Sequence, residues 1–552
     1  MSQDSRVATS NPPAQKTPPP QNVTNIKETI ESILVAFILA FIFRAFVLEA
    51  FIIPTGSMAP TLLGAHLRFR CPDCGYQFDV NYSPPRTSDS DDPPIPAIGE
   101  APTDVYCPNC GYQVLASPRT SPQPVQYGDK ILVLKYVYLL HPPRRWDVVV
   151  FKSPDNPQKS DYKENFIKRL VGLPGEKLMV LDGDIYISTA ANPAWQIQTK
   201  PREVQEALWR LVYDNDYYPQ HVKREGQPDW VQPWQPVAGS GWDQGHDAST
   251  GRTFKFSNSS GSGELQFDPD ANSTTQTLTD YLVYDLSGDS QRRPGARGSP
   301  DDEQANPVSD LKLVVNYQRQ SGNGPLRLSL RRQESTDHTF IAEFNPDTVR
   351  LMHRTNAGES QIGQTLRLSD LGIHPGESIF IEFLDVDYRV TLRINGKDAI
   401  VSTAADYHPN IDWLLQQWKN NRHGEPGKAA IEAANQTCAL NHISLWRDVY
   451  YTNRVSHGSG GGAVNSGSPQ SPVELGSAEF FVMGDNSAIS EDARYWNQPI
   501  NLPHEGLDVQ SGRVPEQFML GQAVFVYWPA GFRLFDTHFA IIPNFGDMRW
   551  IH

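Results

Sequence analysis

The sequence predicts a mainly β fold behind one N-terminal transmembrane helix. Three observations carry that expectation. Every residue from Ile33 to Phe43 is apolar, the one long apolar run in the 552-residue chain. From Tyr127 onward, short runs of β-branched and aromatic residues such as "KILVLKYVY" and "WDVVVFKSP" are bounded by Gly, Pro and Asp turn formers. Further on, "RVTLRINGKDAI" sets Asn395-Gly396 between two alternating runs, which is the signal of a two-residue hairpin.

Composition narrows the function classes. A chain of this length holds about three or four domains. Its formal net charge of -15 makes nucleic acid a poor partner and fits a solvated acidic surface. Gly and Pro number 40 and 45, so long loops are expected. Five cysteines are too few to staple a chain of this size. Four of them form two CxxC pairs. The fifth, Cys438, reads as a small buried apolar residue with no role.

Taken in order, residues 1–26 are rich in Pro, Gln, Ser and Thr and are expected to be a disordered tail. Residues 27–53 are the anchor helix. From Ile33 to Ile53 only Arg44 and Glu49 carry charge, and 21 helical residues span about 31 Å, close to the hydrocarbon thickness. A cleaved signal peptide is the competing reading, but some thirty polar residues precede the run. Residues 67–116 hold the CxxC pairs around a Pro- and Asp-rich loop. Residues 54–66 and 117–190 then form the first parts of an antiparallel β domain, where "FIKRLVGLPGEKLMVLDGDIYI" reads as three strands and two turns. Residues 191–309 look irregular and Trp-rich. Residues 310–453 alternate as an inserted antiparallel β-sandwich, 454–477 are a Gly/Ser linker, and 478–552 return to the first β domain.

The chemistry begins at "PTGSMAPT", Pro54 to Thr61, directly after the anchor. The chain has no GxSxG and no HExxH, and no Ser-His-Asp set can be assembled from it. The other minimal way to activate a serine is a lysine held neutral. A free lysine titrates near 10.4, so burial must lower it by about three units, at a cost of roughly 4 kcal/mol. Lys168 suits this, because Phe166, Ile167, Leu170 and Val171 surround it on a predicted strand. By itself a Lys-Arg pair on a strand is more often a solvated edge. A further polar loop, "GDNSAISEDARYW" from Gly484 to Trp496, stands between the apolar "FFVM" and the last strand.

The ordered set "PTGSMAPT", "RRWDVVVFKSP", "FIKRLVGLPGEKL" and "GDNSAISEDAR" resembles type I signal peptidase, the membrane-bound Ser-Lys protease that removes signal peptides from exported proteins. The likeness covers residues 27–66, 125–190 and 478–535, under half of the chain. It implies an antiparallel β catalytic domain with Ser57 as nucleophile and Lys168 as general base. It also implies that the Ser57 N–H and the Thr55 hydroxyl donate to the oxyanion, and that Ser490 holds the Lys168 amine. Asp485, Asp492 and Arg494 would brace the loop, and Met58 and Pro60 would form the site's edge. Trp146 departs from the pattern, since relatives usually have Gly before the position of Asp147. No catalytic cofactor is implied. Expected substrates are preproteins with small residues such as Ala at the -1 and -3 positions. The implied location is the bacterial inner membrane, single-pass, with the N-terminus cytoplasmic and the catalytic domain outside.

Two insertions fall outside that likeness. "CPDCGYQF" and "CPNCGYQV" are matched knuckles resembling a zinc ribbon, so Cys71, Cys74, Cys107 and Cys110 are candidate ligands of a structural Zn²⁺. Two disulfides crossing between the knuckles are the alternative in an oxidising compartment. The β-sandwich is concanavalin-like in pattern only. Trp230, Trp234 and Trp242 could stack on sugars or be core, and the module could serve as a spacer or as a dock for export machinery. Two rivals remain. One is a self-cleaving repressor-type Ser-Lys protease, disfavoured by the anchor. The other is a catalytically degenerate envelope scaffold that binds partners through its insertions.

Overall fold

The computed structural model describes residues 26–82, 105–114, 125–154, 164–244, 251–272, 278–285, 306–422, 424–452, 466–502, 506–530, 532–533 and 540–552. The expectations for the N-terminal tail, the Pro- and Asp-rich loop of the cysteine module and the first half of the Gly/Ser linker lie outside the described residues; the linker's second half holds the strand Val473–Glu474. The chain divides into two compact units, Met1–Glu49 and Ala50–His552.

The first unit holds one α-helix, Ile26–Phe46, and its Glu28–Phe46 stretch is long and apolar enough to cross a membrane. The helix is shorter than the predicted 27–53. Its last backbone bond runs from Val47 N–H to the Phe43 carbonyl, and Leu48–Ile52 is already a strand. Val47, Ile52 and Ile53 are β-branched, and Pro54 cannot donate, so this stretch suits extended pairing better than a further helical turn.

The second unit is mainly antiparallel β. Its first sheet runs in the order Leu48–Ile52, Lys130–Leu134, Met519–Trp528, Val148–Lys152, Asn165–Gly172, Glu479–Met483, Val514–Pro515, with Arg549–Trp550 pairing to Met519–Trp528. Segments some 350 residues apart in sequence are therefore neighbours. The reason is visible in "VVVF". Val148 and Val150 enter one buried cluster with Ile53 and Met58, while Val149 and Phe151 enter another with Leu170 and Phe481. A strand buried on both faces must be apolar throughout, which explains the unbroken run.

The inserted region forms a 13-stranded sheet built on one 20-residue strand, Lys428–Arg447. Lys428–Ala433 of that strand pairs with Leu326–Arg331, and Gln436–Arg447 pairs with Leu311–Gly322. Side chains from both strand sets, among them Leu328, Phe340, Leu313 and Phe383, share one buried cluster. The described residues of 191–309 are not irregular as predicted. Arg210–Asp214, Trp234–Pro236, Trp242–Gln244 and Phe254–Phe267 all join this sheet, and Phe254–Phe267 lies along Lys428–Arg447. "FKFSNSSGSGELQF" reads as linker because its middle is Ser and Gly, but an aligned partner strand supplies the pairing. Trp230, Trp234 and Trp242 are core residues, and the Trp242 ring N–H donates to the Gly263 carbonyl at 2.9 Å. Cys438 is also buried, which pushes its thiol up to about 12.

Trp146 holds a left-handed backbone, φ 77°, while its side chain is buried. Its N–H bonds the Leu170 carbonyl and its carbonyl accepts from Arg169 Nη1 at 2.8 Å, which fixes that conformation beside the Lys168 strand. A non-Gly residue there costs about 1–2 kcal/mol, whereas removing a buried tryptophan costs about 3–5 kcal/mol. Trp146→Gly is therefore expected to lower the melting temperature of the full chain in detergent. An unchanged or raised value would mean that backbone strain outweighs the packing.

Candidate active site

Four chain segments meet at Ser57. The serine lies in a single 3-10 turn, Gly56–Met58, and is 9% exposed. Lys168 comes from the middle of Asn165–Gly172, directly opposite Val149 on the neighbouring strand. Its Nζ donates to Ser57 Oγ at 2.8 Å. Lys168 is 5% exposed, and burial lowers its amine from the usual lysine value to about 8. Asp492 and Glu491 oppose that shift, and Arg494 assists it. The ring of Phe166 lies 5.8 Å from Nζ and supplies apolar surface on one side.

The third segment, 484–494, locks the Ser57 turn. Asn486 N–H donates to the Ser57 carbonyl at 3.1 Å, and its side-chain amide donates to the Gly56 carbonyl at 3.3 Å. A Cβ at Gly484 would collide with the Ser57 carbonyl and the Ser490 hydroxyl, so glycine is required by the close approach. Asp492 accepts from Gly484 N–H at 2.9 Å and from Arg494 at 2.8 and 2.7 Å. Arg494 also donates to the carbonyls of Thr452 and Ser487. Asp485 does not pair with Arg494. It takes a bidentate bond from Arg169, at 2.6 and 2.7 Å, because successive strand residues point to opposite faces and Arg169 follows Lys168.

Of the residues singled out in sequence, the fold brings Ser57, Lys168, Ser490, Asp485, Asp492 and Arg494 into one region. Two details differ from expectation. Ser490 is buried, but its hydroxyl has no hydrogen-bond partner among the described residues, so the expected bond to Lys168 is not formed. The Lys168 amine is turned to Ser57, and Ser490 Oγ rests against Gly484. Thr55 is exposed in extended backbone at the mouth of the turn, and its hydroxyl makes no capping bond. Met58 is fully buried, whereas Pro60 is exposed.

The fourth segment was not foreseen, and it belongs to the insertion. Tyr284 packs against Gly56 closely enough that a Cβ there would meet its ring at 2.5 Å. Asp285 accepts from the Asn486 amide at 2.6 Å, and burial pushes its carboxyl up to about 7. Arg210 donates to the carbonyls of Ala59 and Asp485, both at 3.3 Å, and burial brings its guanidinium down to about 10. The single sequence signal was Asn486, a carboxamide between the Gly484-Asp485 turn and Ser487. Nothing local marks Tyr284, Asp285 or Arg210.

The four cysteines converge as well. Their Sγ atoms all lie within 4.8 Å of one another, and all four are buried. The closest cross-knuckle pairs, Cys71–Cys110 and Cys74–Cys107, are both 3.6 Å apart. The two knuckles fold identically. Cys71 N–H bonds the Tyr76 carbonyl as Cys107 N–H bonds that of Tyr112, and Gly75 N–H bonds the Cys71 carbonyl as Gly111 N–H bonds that of Cys107.

The model of the signal peptidase family, peptidase S26, matches residues 112–229 and 391–528. Ser57 lies outside both ranges, so its pairing with Lys168 rests on the structure. A probable signal peptidase I-2 of Synechocystis sp. is 31% identical over 107 residues, 18% of this chain and 48% of that protein. The signal peptidase I of Rickettsia typhi is 27% identical over 163 residues, 30% of this chain and 44% of that protein. A probable signal peptidase I-1 of Synechocystis sp. is 26% identical over 174 residues, 31% and 57% respectively. The chain thus spans about half the length of these curated relatives. Among solved structures, a carbohydrate binding module from Bacillus subtilis aligns with 39% of this chain and 94% of that one at 10% identity and a TM-score of 0.22. A score that low carries no argument about the insertion. Over its matched segments, the chain is similar to the signal peptidase family, peptidase S26.

Proposed function

We propose that this chain is a membrane-anchored serine endopeptidase that removes N-terminal signal peptides from exported preproteins. The observation that carries this is the 2.8 Å bond between a buried Lys168 amine and the Ser57 hydroxyl, with the lysine lowered to about 8. Such an amine is neutral in a useful fraction of molecules at physiological pH, and a neutral amine can accept the serine proton. Ser57 Oγ attacks the scissile carbonyl carbon while Lys168 takes its proton. The tetrahedral oxyanion is held by the Ser57 N–H and the Thr55 hydroxyl, each donor worth about 3–4 kcal/mol. Lys168 then protonates the departing amine, and an ester on Ser57 remains. Water, deprotonated by Lys168, hydrolyses that ester.

The anchor sets the working depth. Ser57 follows the last helical residue, Phe46, by eleven positions, and a signal peptide's apolar core ends at the membrane surface. The N-terminus is cytoplasmic and the catalytic unit lies outside. Shallow apolar pockets would select small residues at the -1 and -3 positions by excluding larger ones.

The four thiols are proposed to hold a structural Zn²⁺. Tetrahedral Zn–S bonds of about 2.3 Å place sulfurs about 3.8 Å apart, near the 3.6 Å separations, whereas a disulfide needs about 2.05 Å. Cys71, Cys74, Cys107 and Cys110 would supply all four ligands and close a site of structural type.

Four outcomes are expected. In a preprotein-processing assay read by product mass, wild type cleaves while Ser57→Ala and Lys168→Ala do not. Equal cleavage by all three rejects the dyad, and no cleavage by wild type favours the scaffold reading. The wild-type rate should rise about tenfold per pH unit up to about pH 8 and then level off, since only the neutral amine acts. Stability follows the opposite logic. The folded amine titrates below its unfolded value of 10.5, so the unfolded state binds the proton more tightly. The resulting deficit, about 3 kcal/mol, is fully present below pH 8 and fades as pH rises towards 10.5. Lys168→Met should therefore be inactive yet melt higher than wild type at pH 7. Metal analysis should find about one zinc per chain, lost in Cys107→Ser. A zinc-free protein with cross-knuckle disulfides by mass spectrometry would replace metal with covalent bonds.

A further inference from the structure

A second cluster lies apart from both the dyad and the cysteines. Asp184 opens the strand Asp184–Thr189, Asp310 precedes Leu311–Gly322, and Asp387 sits in the turn before Arg389–Ile394. Each offers a carboxylate oxygen, and these oxygens lie within 4.8 Å of one another with all three residues buried. Asp385, Asp448 and Glu334 stand nearby and are equally enclosed. Against these six carboxylates stand two buried cations. Lys200 pairs with Asp387 and Asp448, and Arg332 pairs with Asp310 and Glu334.

The carboxylates outnumber the cations by four, and the oxygens without a hydrogen-bond partner among the described residues include Asp385 Oδ1 as well as Asp184 Oδ2. Asp387 receives the Lys200 ammonium and backbone N–H, and Asp310 receives the Asp387 N–H and the Arg332 guanidinium. Asp184 is 4% exposed, and its Oδ2 has no hydrogen-bond partner among the described residues. Tyr186 lies two residues further along the same strand, so it points to the same side as Asp184. It is fully buried, and its hydroxyl is likewise without a hydrogen-bond partner. Buried charges and hydroxyls are normally paired, because leaving one unsatisfied costs about 1–3 kcal/mol and more when it is charged.

We propose that Asp184, Asp310 and Asp387 bind a hard divalent cation, Ca²⁺. Carboxylate oxygens exclude the soft thiophilic metals, and an enclosed cage suits calcium, which accepts many protein oxygens, better than magnesium, which keeps its waters. The ion offsets half of the carboxylate surplus and gives the open Asp184 oxygen a partner. It also fastens the insertion, through Asp310 and Asp387, to the Glu176–Leu181/Asp184–Thr189 hairpin that continues from the Lys168 strand. This inference is independent of the peptidase reading, since none of the three residues touches the dyad.

The test uses the full chain in detergent after dialysis against EGTA. Calorimetric titration with CaCl₂ should show one saturable site per chain. Addition of ~1–10 mM Ca²⁺ should raise the melting temperature by several degrees, as expected for a ligand that binds only the native state. Tb³⁺ should give luminescence on tyrosine excitation that excess Ca²⁺ removes. Asp184→Asn should abolish all three responses while melting no lower than wild type in EGTA, because it removes an uncompensated buried charge. Asp387→Asn should weaken Ca²⁺ binding at least tenfold. No saturable Ca²⁺ binding by wild type overturns the proposal, as does an equal thermal shift in wild type and Asp184→Asn.

Discussion

Keeping the Lys168 amine out of water is the constraint around which the first sheet is organised. An ammonium ion in that position would lose its hydration and gain only the distant attraction of Asp492, Glu491 and Asp485. Burial wins that contest by a few units, so the amine is poised instead of permanently charged. The arrangement needs apolar surface on both faces of the strand, and the Val148–Lys152 neighbour provides it. It also needs nearby carboxylates to be engaged elsewhere. Asp485 is held by Arg169 and Asp492 by Arg494, each a fully buried pair in which the guanidinium neutralises the acid before Lys168 can feel its whole charge.

Those two pairs also position backbone. Asp492 reaches the Gly484 N–H, and Asn486 reaches the carbonyls of Gly56 and Ser57. The loop therefore clamps the nucleophile turn through main-chain groups, which leaves the serine side chain turned to the lysine. A turn of three residues cannot hold its own geometry against thermal motion. It is over-determined here by contacts from segments more than a hundred residues away, and reactive alignment depends on that kind of support.

The insertion is part of this support. Tyr284 presses on Gly56, Asp285 holds the far side of Asn486, and Arg210 binds the carbonyls of Ala59 and Asp485. Its 20-residue strand gathers two sets of strands around one core, so the module is rigid enough to act as a wall. The 13-stranded sheet is in this sense a second layer behind Ser57, joined to the first sheet's part through polar contacts as well as packing. Asp310 and Asp387 of the insertion meet Asp184 of the Asp184–Thr189 strand at a separate point of contact between the two parts.

Much of this was legible in the residues. The apolar run announced a helix long enough for a bilayer, and alternation with turn formers announced antiparallel strands. The CxxC spacing announced a four-thiol cluster, and a serine and lysine in ordered motifs announced the Ser57–Lys168 contact. These signals survive in one dimension because each depends on local chemistry, whether a period, a turn or a ligand spacing. The end of the helix at Phe46, the strand hidden in "SNSSGSG" and the role of Asn486 were not legible, since pairing partners and packing override local propensity. The sequence by itself determined which side chains could do chemistry and in which class of element they lie. Only the tertiary structure decided that Arg169, not Arg494, takes Asp485, that Ser490 does not bond the lysine, and that Tyr284, Asp285 and Arg210 stand behind the nucleophile. Hydrogen bonds and ion pairs between residues hundreds of positions apart are fixed by where the sheets meet, and no local pattern encodes that meeting.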